Sequence, residues 1–296
     1  MGIQTKLPSD IEGLAKMVPP FSRRGFMTSS AAAAAGYTLL AGPVRADAIK
    51  TDTNGLTVGD GKVKVAGGDM PVYFAKPANV ANPPVILVAM EIFGVHEYIR
   101  DVTRRLAHLG ALAIAPDYYF RAGTDLTKID DIQKLLPIVN AKPDKELFAD
   151  LDATVEWAKQ QGGDTNRLGI MGFCRGGRTV WLYSTHNANL KAGVAFYGSL
   201  GDPENEAWPK NALNLAGEVK EPVLGLYGAE DGGIKPDQVH EMEAKLKAAG
   251  KTAEFHIYDG APHGFHADYR PSYREAQAKQ AWGELVSWFK KYKVLS

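Results

Sequence analysis

The chain has 296 residues, of which 45% are hydrophobic, and its formal net charge is zero. This length and apolar content suffice for one large α/β domain with a filled core, and the zero net charge gives no electrostatic case for nucleic acid or an anionic membrane as a partner. The single cysteine, Cys174, rules out an internal disulfide, a thiolate-rich zinc site and an iron–sulfur cluster.

Residues 1–46 have the pattern of a cleaved export signal. Arg23 and Arg24 form a twin-arginine motif, an alanine-rich stretch over residues 28–41 follows, and Ala46 offers a plausible cleavage site. The stretch is barely long enough to span a bilayer, so cleavage is expected; a retained membrane anchor and an ordinary alanine-rich helix are the alternatives. We therefore expect the twin-arginine machinery to export the folded protein to the periplasm, with no stable membrane span in the mature form.

The rest of the chain, residues 47–296, alternates between strand and helix patterns. Residues 56–75 read as an antiparallel hairpin. Short apolar runs predict strands at residues 85–90, 111–115, 168–171, 194–197, 223–227 and 255–258. Helical spacing of apolar residues predicts helices at residues 99–109, 147–159, 179–184, 239–249 and 276–289. Residues 122–143 are less regular and are expected to form loops or a short helix over the site.

This alternation predicts a single α/β domain over residues 47–296. Strands that alternate with helices imply a mostly parallel central sheet with helices on both faces and right-handed crossovers. The N-terminal hairpin should add antiparallel strands to that sheet.

The most informative motif surrounds the single cysteine. Cys174 lies in the run Gly-Phe-Cys-Arg-Gly-Gly, between a predicted strand and a helical stretch. A strand, a tight Gly-x-nucleophile-x-Gly turn and a helix form a nucleophile elbow, which holds the nucleophile exposed at the carboxyl end of a central strand. A buried structural cysteine is the alternative. The glycine setting favours a thiol nucleophile.

A thiol needs a base close by to become a thiolate, and later strand exits supply candidates. Asp231 follows one predicted strand, and His263 lies in the loop after the next. The order nucleophile, acid, histidine is that of the α/β-hydrolase fold. We expect His263 to act as the base and Asp231 to fix its tautomer, with the adjacent Glu230 as a rival for the second role.

Two further positions follow the strand at residues 85–90. The backbone N–H of Ile92, together with that of Arg175, is expected to form an oxyanion hole. Glu91 would repel developing negative charge there, so it is expected to control the thiol, unless it is simply a solvated strand-end glutamate. His263 and His266 could form a metal pair, but no HExxH-type helix surrounds them, so we expect neither a metal nor a cofactor.

Several motifs together resemble the dienelactone hydrolase family, also called carboxymethylenebutenolidases. The resemblance covers residues 56–296 and rests on Glu-Ile-Phe-Gly from Glu91, Ala-Pro-Asp at residues 115–117, the motif around Cys174, Asp231, and His-Gly-Phe from His263. It implies the α/β-hydrolase fold, a Cys-His-Asp triad, and opening of an enol-lactone that bears a carboxylate. It also implies that Glu91 holds the resting thiol protonated.

The chain differs from the family pattern where the substrate carboxylate would bind. The family uses two arginines; Ala267 stands at one matching position, and residues 124–150 contain no arginine. Arg270 and Arg121 are the candidate replacements, and Arg175 is a third, because a guanidinium suits a carboxylate best.

The expected function is therefore hydrolysis of a lactone or carboxylic ester through an acyl-thioester. An esterase or thioesterase with another substrate range, a non-catalytic binding protein on a hydrolase scaffold and a cysteine peptidase remain alternatives.

Overall fold

The structure is a computed structural model that describes residues 48–129, 131–202 and 204–296. The predicted export signal and its cleavage site lie outside these residues and stay predictions. None of the helices in the described ranges combines the length and apolar character needed to cross a bilayer.

Strands and helices alternate along the described chain as the sequence predicts. The strands are β1 (Leu56–Val65), β2 (Gly68–Pro77), β3 (Pro84–Ala89), β4 (Leu112–Pro116), β5 (Asp164–Phe173), β6 (Leu190–Phe196), β7 (Val223–Gly228) and β8 (Ala253–Tyr258). The α-helices are α1 (Glu97–His108), α2 (Ile132–Asn140), α3 (Asp144–Gln160), α4 (Arg175–His186), α5 (Ala212–Leu215), α6 (Pro236–Ala248) and α7 (Glu275–Lys291). Short 3-10 turns occur at Phe120–Ala122, Leu126–Lys128 and Ala216–Glu218.

The strands form one sheet in the order β1-β2-β4-β3-β5-β6-β7-β8. β1 pairs antiparallel with β2, and β2 antiparallel with β4, whereas the neighbours from β4 to β8 are parallel. The predicted α/β-hydrolase architecture, a mostly parallel sheet with an N-terminal antiparallel hairpin, is confirmed. Parallel pairing brings the carboxyl ends of β3, β5, β6, β7 and β8 to one edge, where the loops that follow them meet.

Burial explains why the apolar runs became central strands. Every residue of β3, β4 and β7 is buried, as expected for strands covered by helices on both faces. The edge strand β1 alternates in exposure instead. On α1, the helically spaced Ile99, Val102 and Leu106 are fully buried against the sheet.

Most elements differ from their predicted bounds by a few residues, and two of these differences concern the site. Helix α4 begins at Arg175, directly after Cys174, although its first turn contains Gly176 and Gly177. Their poor helix propensity is overridden by close backbone packing, described below. The irregular region at residues 122–143 contains α2 and the turn Leu126–Lys128, and the latter contacts the loop after β3 at Gly94.

Candidate active site

The turn between β5 and α4 has the geometry of a nucleophile elbow. Cys174 adopts φ 55° and ψ −116°, is 1% exposed, and donates its backbone N–H to the carbonyl of Phe196 at 3.0 Å. A Cβ on Gly172 would lie 2.3 Å from the carbonyl oxygen of Gly176, and one on Gly176 would lie 2.0 Å from that of Ala89. Backbone atoms cannot give way at such distances, so the turn requires glycine at both positions.

The two candidate oxyanion-hole residues flank this contact. Ile92 is fully buried in the loop after β3, and Arg175 is the first residue of α4. The contact between Gly176 and the end of β3 holds the start of α4 against that loop. Both predicted donors therefore lie near the carboxyl end of β3.

Asp231 and His263 meet at the carboxyl ends of β7 and β8. His263 Nδ1 lies 2.6 Å from Asp231 Oδ2, and both side chains are at most 1% exposed. The other carboxylate oxygen accepts the backbone N–H groups of Gly233 at 2.8 Å and Ile234 at 3.0 Å. Glu230, the rival acid, is exposed. The loops therefore present Asp231, and not Glu230, to the imidazole.

The remaining ring nitrogen of His263 is available for chemistry. A proton on Nδ1 satisfies Asp231, which leaves the lone pair on Nε2. Nε2 is buried and has no hydrogen-bond partner among the residues that the structure describes. Tyr197, the residue after Phe196, packs its ring 5.0 Å from the ring of His263. Cys174 and His263 are thus both neighbours of the short segment at residues 196–197.

Glu91 is a buried carboxylate with three polar neighbours. Its side chain is 2% exposed. One carboxylate oxygen, Oε2, accepts a hydrogen bond from the hydroxyl of Tyr269 at 2.8 Å and lies 3.2 Å from His96 Nε2. The other, Oε1, lies 3.7 Å from Arg270 Nη2. Burial alone would raise its pKa, but the charge of Arg270 and the hydrogen bonds from His96 and Tyr269 lower that pKa to about 2. Glu91 is therefore ionised at every physiological pH.

The structure places Arg270 as the counter-ion of this carboxylate. Arg270 is 1% exposed, and its guanidinium lies 4.4 Å from the ring centre of Phe93 and 4.8 Å from that of Tyr269. Its charge is thus shared between Glu91 and two aromatic faces.

Arg121, the second candidate for a substrate carboxylate, faces other groups. Its two terminal nitrogens bind both oxygens of Asp150 at 2.8 Å, and Nε donates to the carbonyl of Ala66 at 2.9 Å. A carboxylate of the protein itself already fills this guanidinium fork. None of the contacts found in residues 48–129, 131–202 and 204–296 joins Arg121 to Glu91, Asp231 or His263.

The side chain of Arg175 also belongs to a buried polar network. It is 3% exposed, lies 4.3 Å over the ring of Trp208, and has Nη1 3.4 Å from Asp202. One turn along α4, Arg178 binds Asp144 through two contacts of 2.7 and 2.9 Å. The side chain of Arg175 thus anchors α4, while its backbone N–H remains the candidate hole donor.

A cavity of about 640 Å³ is lined in part by His96, one of the neighbours of Glu91. Its lining includes four carboxylates: Asp60, Glu97, Asp117 and Asp125. Burial raises the pKa of Asp117 to about 6, although a hydrogen bond from the backbone N–H of Tyr119 acts in the opposite direction. Arg100, which also lines the cavity, pairs with Asp60 at 2.8 Å. An anionic group would meet mostly negative charge there.

His96, Tyr197 and Tyr269 are site residues that sequence reasoning missed. Tyr269 adjoins the candidate Arg270, and His96 follows Glu91 by five positions, but neither lies in a pattern that signals a role. His263 and His266, the possible metal pair, each contact another side chain. His263 Nδ1 contacts Asp231, and His266 Nδ1 lies 2.7 Å from the hydroxyl of Tyr98. No group of three metal-ligating side chains occurs within the described part of the chain.

Comparison with known proteins agrees with this architecture. A model of the "Dienelactone hydrolase family" matches residues 70–293. A curated protein of Methylorubrum extorquens named "Putative carboxymethylenebutenolidase" is 46% identical over 98% of this chain and 99% of its own length, and one of Escherichia coli with the same name is 44% identical over 87% and 95%.

A solved structure is similar as well. The crystal structure of a "Putative Dienelactone Hydrolase" from Klebsiella pneumoniae is 46% identical, with a TM-score of 0.78 over 80% of this chain and 99% of that one. The chain therefore belongs to the dienelactone hydrolase family, and it is a hydrolase that acts on ester or lactone substrates.

Proposed function

We propose that the protein opens a lactone or cleaves a carboxylic ester with Cys174 as nucleophile, His263 as base and Asp231 as its partner. The observation that carries the proposal is the 2.6 Å contact between His263 and Asp231 at the same sheet edge as the strained turn of Cys174. A thiol needs a nearby base in order to be deprotonated. A buried Asp-His pair supplies one when the Nε2 lone pair is available to accept the proton.

The first half-reaction forms an acyl-thioester. His263 Nε2 takes the thiol proton, the sulfur of Cys174 bonds to the acyl carbon, and the carbonyl electrons move onto oxygen. The backbone N–H groups of Ile92 and Arg175 stabilise this oxyanion, each by about 3 kcal/mol. The tetrahedral intermediate then expels the alkoxide, which His263 protonates. In a lactone this alkoxide remains tethered to the acyl group.

The second half-reaction releases the acid. His263 takes a proton from water, and the hydroxide bonds to the acyl carbon. The tetrahedral intermediate then breaks its C–S bond, and His263 returns the proton to the sulfur of Cys174. Glu91, ionised and close to the elbow, is proposed to hold the resting thiol protonated, as the family resemblance implies. This role would also limit stray oxidation of the thiol in an oxidising compartment.

Hydrolysis of an aryl ester tests the triad. The wild type should hydrolyse p-nitrophenyl acetate, and Cys174→Ala should reduce the rate to the uncatalysed background with an unchanged fold by circular dichroism. Cys174→Ser should also lose most of the activity, because the site is built around a thiol. Mass spectrometry of the wild type, acid-quenched during turnover, should find the acyl group on Cys174. Full activity of Cys174→Ala would reject the triad.

The second candidate is an esterase of neutral substrates. Two observations favour it: the Arg121 guanidinium is already paired with Asp150, and carboxylates line the cavity beside His96. A carboxylate-bearing lactone and its neutral methyl ester separate the two candidates. A preference of more than about tenfold in kcat/KM for the carboxylate would support a dedicated dienelactone site, and the reverse preference would support the esterase.

We also propose that the protein works in the periplasm after twin-arginine export. Arg23 and Arg24, the alanine-rich stretch and the cleavage site at Ala46 support this proposal.

A further inference from the structure

Tyr197 has a backbone conformation that bulky residues rarely adopt. It follows β6 directly and has φ 37°, in the left-handed region. Its N–H donates to the carbonyl of Leu226 at 2.8 Å, and the next residue, Gly198, is pressed against Gly177 of α4. A tyrosine held in such a strained conformation points to a role that requires the direction of its side chain.

The hydroxyl of Tyr197 is buried without a protein partner. The residue is fully buried, and its phenolic oxygen has no hydrogen bond with any group of the described chain. A buried phenol usually finds a partner, because leaving a polar group unsatisfied is costly. Other buried tyrosines follow this rule: the Tyr183 hydroxyl donates to Asp152 at 2.8 Å and accepts from Asn187 at 2.7 Å.

The surroundings of this phenol are the proposed catalytic groups. Its ring packs edge-on against His263, whose Nε2 is also without a partner in the described chain. Burial, followed by the nearby charge of Glu91 and by Cys174, raises the pKa of Tyr197 well above its ordinary value. The phenol therefore stays protonated and can act only as a neutral donor or acceptor.

We propose that Tyr197 is a further catalytic residue, whose hydroxyl donates a hydrogen bond to an oxygen of the ester or lactone bound at Cys174. This inference rests on the proposed function. Two unsatisfied buried polar atoms lie on neighbouring rings, one in the segment after β6 and one in the segment after β8, and together they define a place for one polar ligand. His263 Nε2 serves the proton transfers there, and the phenol supplies a donor that neither the backbone N–H groups nor His263 provides.

The proposal predicts opposite effects on activity and stability. Tyr197→Phe keeps the ring against His263 and removes only the hydroxyl. We expect kcat/KM for a neutral aryl ester to fall about tenfold or more, with the loss mainly in kcat, because the donor stabilises the reacting oxygen. The thermal midpoint should stay equal or rise, because an unsatisfied buried hydroxyl has been removed.

Tyr183→Phe is the matched control, because it removes a buried hydroxyl with two partners near the far end of α4. It should lower the thermal midpoint and keep kcat/KM within about twofold of the wild type. If Tyr197→Phe kept wild-type kcat/KM while Cys174→Ala was inactive, the role of Tyr197 would be rejected and the triad would stand. If Cys174→Ala kept wild-type activity, the triad would be rejected, and the Tyr197 proposal with it.

Discussion

At the scale of the residue, the site depends on a few charges held inside the protein. Glu91 is ionised although it is buried, because Arg270, His96 and Tyr269 surround it. Its pKa of about 2, against an ordinary value of 4.5, corresponds to about 3 kcal/mol at most in favour of the folded state.

This pKa predicts an acid-dependent stability. A carboxylate whose pKa is lower in the folded state stabilises the protein above its unfolded pKa and loses that contribution as the pH falls. The free energy of unfolding should therefore decrease between about pH 4.5 and pH 2. Glu91→Gln should lack this component and be less stable by a few kcal/mol at pH 7, since Arg270 loses its counter-ion. Urea denaturation across the pH range measures both effects.

The exposed Glu230 provides the control for that series. Glu230→Gln should change the free energy of unfolding by less than about 0.5 kcal/mol at any pH, because its charge is solvated. Parallel curves for the wild type and Glu91→Gln below pH 4.5 would contradict the assignment of the ion pair.

The burial of His266 predicts a second pH range in which the free energy of unfolding decreases on acidification. Burial, and after it the charge of Arg105, lowers its pKa to about 3, so the folded protein holds it neutral while the unfolded chain protonates it near 6.5. Stability should thus fall as the pH drops from about 6.5 towards 3. His266→Asn, whose amide oxygen can still accept from Tyr98, should flatten this part of the curve, as read by denaturation at several pH values.

An exposed histidine provides the control for the assignment of this pH dependence of stability to His266. His240 is largely solvent-accessible, and His240→Asn should leave the slope of stability against pH unchanged. If His266→Asn kept the full wild-type slope between pH 6.5 and 3, the pH dependence would have to come from other groups.

At the scale of the element, backbone contact between α4 and β3 decides the shape of the elbow. Gly176 lies inside the first turn of α4, and its Cα approaches the carbonyl groups of Ala89 and Met90 so closely that no side chain fits. The strain at Cys174 and the position of the Arg175 N–H both depend on this approach.

Two glycine substitutions should therefore have opposite effects. Gly176→Ala would put a Cβ 2.0 Å from the carbonyl oxygen of Ala89, so we expect a loss of more than about 3 kcal/mol in the free energy of unfolding, and loss of activity in any folded fraction. Gly283→Ala lies in α7, where nothing stands within 4 Å of the new Cβ, and it should stabilise the protein by about 0.5–1 kcal/mol. Chemical denaturation of both variants measures the contrast; a tolerated Gly176→Ala would contradict the tight contact.

At the scale of the whole molecule, the sheet order gathers groups that lie far apart in the chain. Tyr269 and Glu91 are 178 positions apart and share a hydrogen bond, and Asp231 and His263 meet across 32 positions. The adjacent parallel strands β3 and β5 to β8 make this possible, because their carboxyl ends lie at one edge.

Export is a prediction about the whole chain. In a host with twin-arginine machinery, the full-length protein should appear in the periplasmic fraction as a product shortened to begin near Asp47. Replacing Arg23 and Arg24 with lysine should retain the uncleaved protein in the cytoplasm while its esterase activity persists. Cell fractionation with amino-terminal sequencing tests this. Periplasmic recovery of the doubly substituted chain would contradict the twin-arginine route.

The sequence by itself determined the architecture and the main candidates for chemistry. Continuous apolar runs predicted β3, β4 and β7, since strands buried on both faces tolerate little else. The glycines around Cys174 predicted a tight turn, because only glycine fits there. The strand exits placed Asp231 and His263 at one edge, and the structure brings these two side chains together.

Only the tertiary structure decided which partner each polar side chain has. The sequence could not show that Arg270 faces Glu91, that Arg121 faces Asp150, or that the buried hydroxyl of Tyr197 has no hydrogen-bond partner among the described residues. Strand and helix patterns depend on local periodicity, which a sequence displays directly. Ion pairs and buried hydrogen bonds depend on loops that meet in space, and the geometry of those loops is set by packing across the whole sheet.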